Sequence, residues 1–142
     1  MKTPLLIQRK KYNRMLNSLQ AFWGLLAYMT DTENEKNILR FTLNSDKSKT
    51  YILNSANAKA FMKDLPEYFY GFGLGLYLPI PIRVLLFEYR NILFGVLISE
   101  LDNPVDQIIL KNEILVKRMI EIHKELVNLL RKELDLAMPK IW

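Results

Sequence analysis

Residues 82–101 read IRVLLFEYRNILFGVLISEL, and how this run folds decides the architecture of the whole chain. Taken as strands over 82–89 and 92–98, with Arg90-Asn91 as a two-residue turn, it forms a β-hairpin. Both runs are apolar at nearly every position, the pattern of strands buried on two faces or lying at a subunit interface. A continuous helix is the competing reading. Arg83, Glu88, Arg90 and Glu100 interrupt the apolar character, so the run does not read as a membrane span.

Downstream, Asp102-Asn103-Pro104 is the strongest helix-start signal in the chain. It predicts a long amphipathic helix over 104–137, with a break near Asn112. Ile108, Leu115, Ile122, Leu129 and Leu136 recur every seven residues. Met119, Leu126 and Leu130 widen the stripe to an arc of about 140° at about 100° per residue. So broad an arc packs on a sheet or into a bundle. Lys117, Lys124, Arg131 and Lys132 fall on the opposite, solvated face. The hydrophobic tail, residues 138–142, ends in Ile141-Trp142, which either folds back onto the body or docks on a partner.

Upstream, residues 67–81 interleave Tyr68, Phe69, Tyr70, Phe72 and Tyr77 with Gly71, Gly73 and Gly75. The spacing is not a phosphate-loop or dinucleotide fingerprint. Its glycines are expected to take positive φ or to allow close approach of the backbone. The aromatics mainly roof a core, with Tyr70, Phe72 and Tyr77 as candidate partner contacts. Before this segment, two short strands over 38–43 and 50–53 flank a polar turn at 44–49, and Asn54-Ser55 caps a helix stopped at Pro66. The first helix starts at Thr3-Pro4 and carries Tyr12, Met15, Leu16, Leu19, Phe22, Trp23 and Leu26 along one face.

Together these elements predict an α+β fold in a single domain over residues 1–142, ordered α-ββ-α-ββ-α. An antiparallel four-stranded sheet is covered on one face by the N- and C-terminal helices. The alternative is an all-α bundle in which 82–101 is helical.

The chemistry is bounded by what the chain lacks. It has no cysteine and a single histidine, His123. That excludes a disulfide framework, a thiolate nucleophile and a zinc knuckle. No cofactor and no metal site are expected. Asp31, Glu33 and Glu35 form an acidic turn, and no serine or threonine stands in a nucleophile elbow. Gln8 to Arg14 is polar and basic where a secretory signal would continue apolar, so a cytoplasmic, non-membrane protein is expected. Heavy use of Lys, Ile, Leu and Asn suggests an AT-rich archaeal, viral or bacterial genome.

The net charge of +5 is uneven. Residues 1–14 hold Lys2, Arg9, Lys10, Lys11 and Arg14 and no acid, while the rest balances 15 basic against 15 acidic residues. Cations in the first turns of a helix oppose its macrodipole, so local stability does not select them. Arg9, Lys10, Lys11 and Arg14 are therefore the candidate nucleic-acid contacts, through the phosphate backbone. The expected role is a non-enzymatic accessory protein of a nucleic-acid-associated complex, with a protein partner or self-association. The alternative is a purely structural interaction subunit.

Two resemblances add to this reading. Arg118-Met119-Ile120-Glu121-Ile122-His123 resembles the motif of the HEPN ribonucleases, helical proteins that dimerise to cut RNA. The resemblance implies Arg118 and His123 as catalytic residues of a metal-independent ribonuclease. That family usually has a polar residue after the Arg, where this chain has Met119. Five helical steps also separate Arg118 from His123 by about 140°. More widely, residues 10–110 resemble a small uncharacterised archaeal protein family. The Asp46-Lys47-Ser48-Lys49 turn, Leu65-Pro66 and Leu78-Pro79-Ile80 carry this resemblance. The family has no assigned activity, and its pattern favours Gly where this chain has Lys47.

Overall fold

The computed structural model describes residues 5–30, 34–101 and 105–137, with the side chains of 5–9, 11 and 137 outside that description. The Thr3-Pro4 and Asp102-Asn103-Pro104 helix starts, Asp31, Glu33, Ile141 and Trp142 lie outside the described residues. The element order is helix α1 (Leu5–Leu25), strands β1 (Leu39–Leu43) and β2 (Lys49–Asn54), helix α2 (Ser55–Pro66), helix α3 (Ile80–Ser99), strand β3 (Gln107–Leu110) and helix α4 (Glu113–Ala137).

Among the described residues the sheet has three antiparallel strands in the order β1-β2-β3, which corrects the four-stranded expectation. Two readings fail. Residues 82–98 are helix α3 and not a hairpin. The long helix does not run from 104, because Gln107–Leu110 pairs with β2, placing Ile108 opposite Leu53. The order is thus α-ββ-α-α-β-α. The all-α alternative is right about residues 82–98 and wrong about the sheet.

Both errors have a physical cause. Helix α3 buries Ile82, Leu85, Leu86, Tyr89 and Leu93 on one side while its other side is also largely apolar, so no helical period shows. Pro81 in its first turn is a helix-start signal. In β3, a buried Ile108 between exposed Gln107 and Ile109 has the alternation of a strand. Asn112 then starts α4, its Oδ1 accepting the Leu115 N–H at 3.1 Å. The expected break near Asn112 is this helix start.

Other elements follow their sequence. Asn54 caps α2, accepting the Asn57 N–H at 2.9 Å. Between α2 and α3, Gly73 takes φ 69°, and a Cβ on Gly75 would meet the Phe69 ring at 2.6 Å. Gly73 and Gly75 thus serve the two purposes expected of the glycines here, Gly71 neither, and Phe69 roofs Phe22 edge-on at 6.2 Å.

The core lies between the helices and one face of the sheet. Phe61 sits between Tyr28 and Tyr89, at 5.7 and 5.6 Å between ring centroids. From α4, Met119, Ile122, Leu126 and Leu130 enter the same core, and from the sheet Leu53 and Ile108. The turn end of the β1-β2 hairpin extends past this packing, with residues 41–49 exposed. That overhang creates the cleft described next.

Candidate nucleic-acid interface

The β1-β2 turn, the end of β3 and the first turns of α4 enclose an open cleft of about 890 Å³. Among the described residues, Lys47, Lys49, Lys111, Lys117 and Lys124 line it, against two acids, Glu113 and Glu121. Five lysines against two acids leave the cleft a formal charge of +3, and Glu121 also stands 3.6 Å from Arg118 Nη1. The α4 N-terminus adds the positive end of its macrodipole.

The turn that presents two of these lysines is closely hydrogen-bonded. Asn44 N–H donates to the Ser48 carbonyl at 2.8 Å, and Lys47 N–H to the Asn44 carbonyl at 3.0 Å. Asp46 Oδ1 accepts from the Ser48 hydroxyl at 2.5 Å and from its N–H at 3.0 Å. These bonds hold the Asp46 carboxyl below its usual range. Lys47 takes φ 68°, a left-handed conformation that costs an L-residue about 1–2 kcal/mol relative to glycine. A lysine at a position suited to glycine points to use of its charge.

Aromatic surface accompanies the lysines. Tyr51 lines the cleft, and Phe41 lies beside it at 6.0 Å between ring centroids. Lys49 Nζ stands 4.5 Å from the Phe41 centroid. Cations interleaved with partly exposed rings can meet phosphates and stacked bases together.

The residues singled out by sequence are scattered. Arg9, Lys10, Lys11 and Arg14 are all on α1. Lys10 and Arg14 are exposed and one helical turn apart, while the side chains of Arg9 and Lys11 lie outside the described residues. Tyr12 and Met15 pack against the core, as the stripe requires. Tyr70 and Phe72 are exposed beside the turn before α3, and Tyr77 is half-buried.

Arg118 and His123 share α4, both half-buried. Arg118 binds the Glu88 carboxylate through two nitrogens, Nε to Oε2 and Nη2 to Oε1, the latter at 2.7 Å. Glu125 also stands 3.6 Å from Arg118 Nη1. The guanidinium holds the Glu88 carboxyl below its usual range, and Glu88 raises the Arg118 pKa in return. Arg118 thus ties α4 to α3. Among the described residues no group of three or more His, Asp or Glu is placed to hold a metal ion. No described helix is long and apolar enough to cross a membrane.

The five cleft lysines were not singled out by sequence, because they come from three separated segments, each with an acid close by in Asp46, Glu113 or Glu121. Compared with models of known protein families and with curated protein sequences, the chain matches none.

Proposed function

We propose that the protein is a non-enzymatic binding protein that holds nucleic acid by its phosphate backbone. The principal site is the lysine cleft between the β1-β2 turn and α4, with the basic first turns of α1 as a second contact. The observation that carries this reading is the convergence of five lysines from three elements on one cleft beside Tyr51. Mutual repulsion makes such a cluster unfavourable in an empty surface, and a polyanion relieves it. The contacts are to phosphate and to ring faces, so binding is largely independent of base sequence.

The test is fluorescence anisotropy with labelled DNA and RNA of arbitrary sequence. Two charge-reversed proteins are compared with the unaltered chain. One carries Lys49→Glu, Lys117→Glu and Lys124→Glu, the other Arg9→Glu, Lys10→Glu, Lys11→Glu and Arg14→Glu. The cleft variant is expected to lose more affinity than the α1 variant. Equal binding by the cleft variant and the unaltered chain contradicts the assignment. Absence of binding even at low salt rejects nucleic acid as the ligand.

A further inference from the structure

Helix α3 has a second apolar face that the core leaves largely exposed, with Phe87 alone of its apolar residues packed inward, edge-on to Phe69 at 5.1 Å. Ile80, Val84, Phe87, Asn91, Phe94 and Ile98 recur at alternating steps of four and three residues. This is the seam of a heptad repeat. Ile80, Val84, Phe94 and Ile98 are 68, 56, 50 and 47 % exposed. Leu101, 72 % exposed just beyond the helix, continues the series. The core residues Ile82, Leu85, Leu86, Tyr89 and Leu93 occupy the remaining positions on the opposite side.

We propose that α3 pairs with α3 of a second copy of this chain, parallel and in register, as a two-stranded coiled coil. The residue choice at each position argues for this occupant. Val84, Asn91 and Ile98 fall at the a positions, and Ile80, Phe87 and Phe94 at the d positions. β-Branched residues at a favour two parallel strands, and one Asn at a fixes the register. In register, Asn91 faces Asn91 of the partner subunit, and the two amides satisfy each other. In an antiparallel pair a faces d, which sets Asn91 against a phenylalanine and leaves its amide unpaired.

Of the residues flanking the seam, Arg83 falls at g and Glu88 at e, with Glu88 held by Arg118 of the same chain. Arg83 is already fixed, with its Nε donating to the Leu78 carbonyl at 2.9 Å. Gly95, the next e residue, has nothing within 4 Å of where a Cβ would stand, so two backbones can approach there. Phe94, Ile98 and Leu101 also form one wall of an apolar groove of about 380 Å³ that reaches Met62 and Val105. Tyr70 flanks the seam at Phe87, 6.4 Å between ring centroids. The seam is about 27 Å long at 1.5 Å per residue. From Ile80 to Ile98 it spans fewer than three heptads, below the roughly 3–4 over which a heptad repeat marks a coiled coil. The dimer is therefore expected to be weak and concentration-dependent.

The inference is independent of the nucleic-acid reading and is tested without nucleic acid. Sedimentation equilibrium of the full chain from about 1 μM to about 1 mM is expected to show a monomer–dimer equilibrium within the range of weak complexes. Ile98→Lys with Phe94→Lys is expected to abolish the dimer, with unchanged helical circular dichroism. The chain has no cysteine, so Val84→Cys on the otherwise unaltered protein is a clean reporter. Parallel pairing in register brings the two introduced thiols together, and a disulfide-linked dimer is expected on mild oxidation. Lys124→Cys, on α4, is expected to remain monomeric under the same oxidation. A monomer at every concentration overturns the proposal. So does a dimer unaffected by the double lysine change, or a dimer in which Val84→Cys fails to crosslink.

Discussion

Helices α3 and α4 enter the same core and present opposite surfaces to solvent. Each buries an apolar face, Leu85, Leu86, Tyr89 and Leu93 from one, Met119, Ile122, Leu126 and Leu130 from the other. The Arg118–Glu88 ion pair joins them. Outward, α4 shows Lys117 and Lys124, whereas α3 shows Val84, Phe94 and Ile98. An outer face must differ from the inner one for a helical period to appear in sequence. Where it does, as in α4, the helix is plain; where it does not, the same secondary structure reads as a hairpin. The difference also separates the two proposed uses, a charged face for a polyanion and an apolar face for another copy of the chain.

The comparison can be broken most forcefully at the inner faces. Leu86→Ala and Leu126→Ala, each at a fully buried site, are expected to cost about 2–5 kcal/mol in urea denaturation. A loss below 1 kcal/mol at either would mean that the helix does not share the core. At the cleft, Lys47→Gly relieves the left-handed backbone and is expected to stabilise the fold by about 1 kcal/mol while weakening nucleic-acid binding. Gains in both properties, or losses in both, would separate Lys47 from the site.

The ion pair between the helices sharpens the comparison at lower energy. Both side chains are about one-third exposed, so Glu88→Gln is expected to cost no more than ~1 kcal/mol at neutral pH. The folded-state Glu88 pKa lies below its ordinary value of 4.5. Its contribution is thus present above that pH and lost as acid takes the pH down through the depressed value. Stability measured against pH should show this acid-side loss in the unaltered chain and less of it in Glu88→Gln. The smallest effect belongs to the outer face of α3. Val84→Ser in dilute, monomeric protein should change stability by about 0.5 kcal/mol or less. A cost approaching that of Leu86→Ala would show that this face packs within the chain.

The sequence was readable wherever a local rule operated. Asn54 as a cap, the turn between β1 and β2, the positive φ of Gly73 and the core stripe of α4 each follow from residues close together in the chain. The third strand was hidden because four residues, Gln107–Leu110, are too few to oppose a strong helical repeat on pattern alone. Pairing with β2 supplied what local preference lacked. The cleft was hidden for a related reason. Lys47, Lys111 and Lys124 meet only after the sheet and α4 have packed, and charge counted along the chain instead drew attention to residues 1–14.

The most direct test of the central claim, that the lysine face formed by α4 and the hairpin holds nucleic acid, is the salt dependence of binding. Each lysine that neutralises a phosphate contributes about −0.9 to the slope of log affinity against log salt on duplex DNA. Lys117→Gln with Lys124→Gln is expected to make that slope shallower by up to about 1.8, leaving the fold unchanged. An identical slope in the variant and the unaltered chain would contradict the account, because the cleft lysines would then meet no phosphate.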